Sequence, residues 1–343
     1  MKQTLLTSAA VLLGIGALSN KPATTEVDLT PRFKKGQTFT MTNTANADMA
    51  LDELSVMVDG AEVLGDGIGM EMLTENTTVT TEEILEVKDG QITAMRITFD
   101  EASGQMEGSF DAMGESDSMN ESIDNDMQGH TIELRLDDEG ELEVTDVTED
   151  AEALLSDDDL AMLDFNTHFE QLLPTEPVEI GEEFELASEW MELVEEFMEE
   201  DMSGAMDDLG DEEAAMAEVA MESLFESLSI EASGKVTGVE DGMATIEYTM
   251  SAAVELDDLI GLASEISPEA GELPPGIEAS MLMSLEMSGT GMFNLELGQL
   301  VALELEGDMS MEMEGAADME GTSAEALAAA SGTITANVTV EVE

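Results

Sequence analysis

Carboxylates are the side chains most able to do chemistry here. The chain of 343 residues holds 81 Asp and Glu against 9 Lys and Arg, with two His and no Cys. Hard cations take oxygen ligands, so calcium is the first chemistry to test. The best local match is "DNDMQGHTIELR", residues 124–135. Asp124, Asp126 and Gly129 fall at the first, third and sixth positions of a calcium loop, and Gln128 offers an oxygen at the fifth. Arg135 stands at the twelfth, where a bidentate Glu belongs. Weak association of Ca²⁺ or Mg²⁺ is therefore expected, not a defined site.

Other chemistries find less support. Zinc wants clustered His and Cys, and His130 and His168 stand alone. The run "MSMEMEGAADMEG" suggests a thioether copper site, but Met309, Met311 and Met313 alternate in step with Leu303 and Leu305 and read as packing. "GDGIGM", residues 65–70, mimics a dinucleotide fingerprint with its third glycine one residue early. No serine sits in a G-x-S-x-G elbow. A glycosidase-like acid pair is an alternative, although among 81 acids any pairing is uninformative. One Trp, one Tyr and ten Phe leave little aromatic surface for stacking sugars. The expectation is a non-enzymatic protein with no catalytic residues and no cofactor. Its formal charge of −72 repels nucleic acid and anionic membrane surfaces, whose partners carry clustered Lys and Arg.

The elements that would hold any site begin with export. "MKQTLLTSAAVLLGIGALS" joins a basic start to an apolar stretch and small residues, the pattern of a signal peptide over 1–19. The expected product is secreted or periplasmic, with an N-terminal arm over 20–36. A first β half-unit then spans 37–171, a connector 172–184, and a second half-unit 185–343. The halves echo one another: "VKDGQITAMRITF" at 87–99 answers "VEDGMATIEYTM" at 239–250. Asp89-Gly90 and Asp241-Gly242 mark tight hairpins, and Gly140 and Gly298 mark a second hairpin in each half. From Val301 onward, apolar odd positions alternate with acidic even ones, and Ile334, Ala336, Val338, Val340 and Val342 repeat the pattern.

Residues 100–128 and 251–280 read as insertions between the strands of the two halves, and helices are expected in the insertions. Ser156 and Asp159 resemble a capping box before "LAMLDF". Trp190, Leu193, Val194, Phe197 and Met198 fall at helical spacing, as do Met216, Val219, Ala220, Leu224 and Leu228. Leu256, Leu259, Ile260 and Ala263 form a third stripe. The fold class expected is α+β, predominantly antiparallel β, with two related half-units in curved sheets and helices in the insertions.

"LPTEPVEIGEEF" with its following "VEDG" strand resembles a family of uncharacterised secreted Gram-negative proteins with the pattern Leu-Pro-x-x-Pro-Val-x-x-Gly-x-x-Trp. Phe184 replaces the Trp. More distantly, the plan is similar to periplasmic lipoprotein-carrier-like folds. The family implies no catalytic residues. The expected function is binding of an apolar small molecule or protein partner on a sheet face, with Trp190, Leu193, Val194, Phe197 and Met198 as its lid. A secreted hydrolase, or a structural or adhesive envelope protein, is the alternative.

Overall fold

The computed structural model describes residues 26–64, 68–112, 115–124, 127–137, 140–148, 155, 160, 163, 169–186, 227–256, 277–319 and 322–342. Fifteen strands run in order: β1 (Glu26–Val27), β2 (Thr38–Val58), β3 (Ala61–Leu64), β4 (Ile68–Lys88), β5 (Gln91–Ala112), β6 (Glu115–Asp124), β7 (Thr131–Leu136), β8 (Leu142–Asp146), β9 (Val178–Glu179), β10 (Glu183–Glu185), β11 (Leu228–Glu240), β12 (Met243–Leu256), β13 (Ile277–Asn294), β14 (Gln299–Met319) and β15 (Thr322–Val342). Thirteen of them form one antiparallel sheet in the order β10-β11-β12-β13-β14-β15-β2-β4-β5-β7-β8, with β3 beside β2 and β6 beside β5. β1 and β9 form a separate two-stranded ribbon. Both expected half-units therefore contribute to one sheet, joined where β15 pairs with β2.

This corrects the expected α+β class. Among the described residues the architecture is antiparallel β, and the helical element with both ends described is the 3-10 turn Glu170–Leu172. Of the stretches expected as insertions, 100–112, 115–124, 251–256 and 277–280 are strand, and 257–276 lies outside the described residues. β5 runs on to Ala112 and β6 follows it, while β12 continues to Leu256 and β13 begins at Ile277. Leu228 and Leu256, assigned to helical stripes, lie in strands because registry sets them opposite Val254 and Met281. The rest of those stripes lie outside the described residues, as does the capping pair Ser156 and Asp159. Among the described residues no helix is long and apolar enough to cross a membrane.

β2, β4, β14 and β15 each run for 21 residues, and period-two alternation is plainest in β14 and β15. Their hairpins turn on Asp89-Gly90 (φ 54° and 93°) and Asp241-Gly242 (φ 50° and 82°), the positive values a two-residue hairpin needs. A bulge precedes each turn at the same distance, between Ile84 and Glu86 and between Val236 and Gly238. Gly36 N–H donates to the Ile84 carbonyl and Gly181 N–H to the Val236 carbonyl, both at 2.7 Å.

The core sits at the sheet end that carries these turns, here called the base. One buried cluster gathers Phe39, Ile84, Met95, Ile97, Ile132 and Leu134, and a second gathers Val236, Ile246, Tyr248, Phe293, Leu300 and Val338. The chain's own segments cover them: Val27 and Leu29 from the arm, then Leu172, Leu173, Val178 and Leu186, all buried in the second cluster. The 172–184 stretch thus acts as packing, beyond linking the halves. Phe184 lies opposite Gly234, and a Cβ on that glycine would overlap the Phe184 ring. The aromatic covers a bare stretch of strand, a stabilising role glycine positions in sheets often require.

Candidate functional site: an apolar sheet face beyond the core

Strand registry assigns every side chain to a face. Tyr248 opposes Gly289, which opposes Leu305, which opposes Ala336, which opposes Ala45. Stepping two residues at a time away from the base, this face presents Met250, Ala252 and Val254 on β12 and Met287, Leu285, Met283 and Met281 on β13. β14 adds Met309, Met311 and Met313, β2 adds Met49, and β4 adds Met72. The opposite face at the same level carries Glu286, Glu306, Asp308 and Glu312 with Ser284 and Ser310. Met309, Met311 and Met313 do share the face of Leu303 and Leu305, as alternation requires. Leu303 is buried at 3%, whereas Met313 is 39% exposed. The apolar face therefore extends past the packed base.

Over six strands from β12 to β4, at ~4.8 Å spacing and about ten residues of ~3.3 Å, it covers on the order of 900 Å². Of the side chains named on it beyond the base, Met313 is exposed and the others are half-buried. Where the covered base gives way to this face, Leu172, Leu186, Tyr248, Met250, Met287 and Leu305 line a small apolar cleft. Tyr248 is 6% exposed, and its Oη has no hydrogen-bond partner among the described residues. Burial pushes its phenol pKa well above the ordinary value, so it stays neutral. Its ring lies over Gly291, where a Cβ would come within 2.7 Å of it.

A densely hydrogen-bonded carboxylate lies elsewhere among the described residues. Asp146, at the end of β8, accepts from His130 at 2.7 Å, from the Thr148 N–H at 2.9 Å, from the Leu155 N–H at 3.3 Å, and from the Thr148 hydroxyl. Burial works against its charge, but these hydrogen bonds outweigh burial and hold its pKa at about 2. Glu133 is lowered chiefly by the Arg135 hydrogen bond, against desolvation, with Arg96 assisting. Asp28 is lowered mainly by Thr30. These groups are anchors that stay ionised, whereas a general acid needs its pKa raised.

The residues singled out from the sequence are not brought together by what is described. Asp124 ends β6, Asp126 lies outside the described residues, and Gln128 is exposed in the turn before β7. Only Thr131 to Arg135 of that supposed loop are strand, with Arg135 in β7 bound to Glu133 at 2.9 Å and near Glu86 at 3.7 Å. Among the described residues no group of three or more His, Cys, Asp or Glu is placed to hold a metal ion. The lid residues Trp190, Leu193, Val194, Phe197 and Met198 lie outside the described residues. Tyr248, Met250, Met283 and Met287 went unmarked as site residues. The signal was present: "MATIEYTMSAAVEL" alternates throughout, but only pairing shows that its apolar side continues into β13 and β14.

No family model matches the chain, and no curated protein matches it. Among solved structures, a Pseudomonas aeruginosa FadL homologue covers 90% of each chain at 8% identity with a TM-score of 0.17. Pseudomonas aeruginosa OpdQ covers 89% of this chain and 98% of its own at 6% identity, with a TM-score of 0.12. Likeness at that level supports neither fold nor function.

Proposed function

We propose that the protein is a non-enzymatic binding protein that acts outside the cytoplasm and holds an apolar molecule on the methionine-rich face of its sheet. The observation that supports this is the continuation of that face beyond the core, across β12, β13 and β14 into β15, β2 and β4. Methionine suits such a surface because its unbranched thioether adapts to irregular guests. The charge favours a neutral or cationic guest over a fatty-acid anion, since the chain carries −72. Export rests on the basic and apolar residues at the N-terminus, and the echoed hairpins support descent of the two halves from one duplicated unit.

Native mass spectrometry with lipid extraction, on protein purified from its host, tests the reading. A co-purifying apolar molecule is expected, together with saturable binding of the neutral dye Nile red that weakens in Met283→Ser and Met311→Ser. Protein that carries no guest and leaves the dye unbound would refute it. The same spectra read the export proposal, with a mature mass that lacks residues up to about Ser19.

A further inference from the structure

The bases of this chain are segregated. Among the described residues Arg32, Lys34, Lys35, Lys88, Arg96, Arg135 and Lys235 all lie at or near the base. Residues 36–87, 97–129 and 236–343 contain no Lys, Arg or His, so the far half of the sheet carries acids alone. At one far corner an apolar cluster is open to solvent: Met70 is 42% exposed, Phe110 47% and Met119 46%. Met70 opposes Phe110 and Met119 opposes Gly108, which puts the three on one face. They border an open cleft of about 220 Å³ rimmed by Glu71 and Asp117.

β6 is the edge of the sheet there, pairing with β5 and with no other described strand. The Ser118 N–H donates to the neighbouring Asp117 carboxylate at 2.9 Å instead of to a strand. Alternation along a strand sets the Asn120 N–H on the same outward edge. On the apolar side β6 reads Asp117, Met119, Glu121; on the other it reads Ser118, Asn120.

We infer that this corner is a docking edge for an extended, basic segment of a partner protein, which adds to β6 as a further strand. Backbone bonds to the outward N–H and C=O groups supply affinity in such additions, and alternate side chains supply specificity. The guest would set an apolar residue opposite Met119, within reach of Met70 and Phe110, and a Lys or Arg two residues to either side, opposite Asp117 and Glu121. Opposite charges in directly facing positions stabilise a strand pair, and like charges destabilise it. A second copy of this chain would bring acids against Asp117 and Glu121, so the same edge rejects self-pairing.

The test uses the full chain and a fluorescein-labelled peptide, acetyl-Thr-Lys-Thr-Val-Thr-Lys-Thr-amide, with its permuted isomer acetyl-Lys-Lys-Val-Thr-Thr-Thr-Thr-amide. Anisotropy at one salt concentration should show the alternating peptide binding at least about tenfold more tightly. Met119→Ser and Ser118→Pro leave net charge unchanged, and each should remove at least about tenfold of that affinity. Leu282→Ser, at an exposed residue distant on the acidic face, should change nothing. Circular dichroism confirms that each variant is folded, and Met119→Ser keeps the test decisive should the proline variant unfold. Equal binding of the two peptides, or wild-type affinity in Met119→Ser, would reduce the association to general attraction between opposite charges and overturn the inference. Absence of peptide binding would overturn it equally.

Discussion

Replacing Tyr248 by Phe should make the protein more stable. The Tyr248 side chain is 6% exposed and its hydroxyl has no partner among the described residues, so folding strips water from a polar group and gives nothing back. An unsatisfied buried hydroxyl costs about 1–3 kcal/mol, and Phe keeps the ring that packs over Gly291. A gain of about 1 kcal/mol is the expected result, read as a higher urea midpoint at unchanged slope. A second measurement is available because Tyr248 is the single tyrosine of the chain. Its phenolate absorbance reports one site without interference. Folding raises the pKa of this group, so the stability it contributes is fully present below the unfolded value of ~10 and is lost as pH rises through the folded one. Phenolate absorbance should therefore appear together with alkaline unfolding, not before it. A lower urea midpoint in the variant would mean that the hydroxyl is satisfied after all. Ionisation near pH ~10 in the folded protein would mean that the site is wet. Either result refutes the reasoning.

Valine at Gly242 or Gly90 should cost about 1 kcal/mol or more, because φ of 82° and 93° is hostile to a β-branched residue, and thermal melts of both variants check this. Asp146 has its folded pKa lowered to about 2, so its contribution is full above the unfolded value of ~3.9 and disappears as pH falls through that window. Asp146→Asn should lose about 2 kcal/mol at neutral pH and flatten the acid limb of the stability profile, which urea titrations across pH measure. With 81 acids against 9 bases, the melting temperature should climb steeply from ~0.01 M to ~1 M salt, with millimolar Ca²⁺ or Mg²⁺ partly substituting; a flat salt series by circular dichroism would contradict it.

The sequence by itself determined the local geometry. Asp-Gly dipeptides between alternating runs dictated the hairpins, because positive φ leaves few other choices, and both turns adopt it. Alternation in 301–314 and 334–342 determined which residues share a face, since the side-chain period of a strand is two, and the pairing of β14 with β15 agrees. What alternation does not carry is length and neighbourhood. Residues 100–124 are rich in Ser, Gly and acids, so their weak apolar signal at Ala102, Met106, Phe110 and Met119 read as an insertion; pairing with β4 and within the β5–β6 hairpin makes them strand. The sheet order also came from the tertiary structure, because setting β15 against β2 joins residues nearly three hundred positions apart and rests on no local turn. The candidate site is a product of that order. Met72, Met250, Met283 and Met311 are each an ordinary half of an alternating pair in their own strands. They become one surface only where registry lines up six strands, and whether such a face is core or open depends on what packs over it: Leu29, Leu172 and Leu186 cover the base, and among the described residues their cover ends at Tyr248 and Leu305.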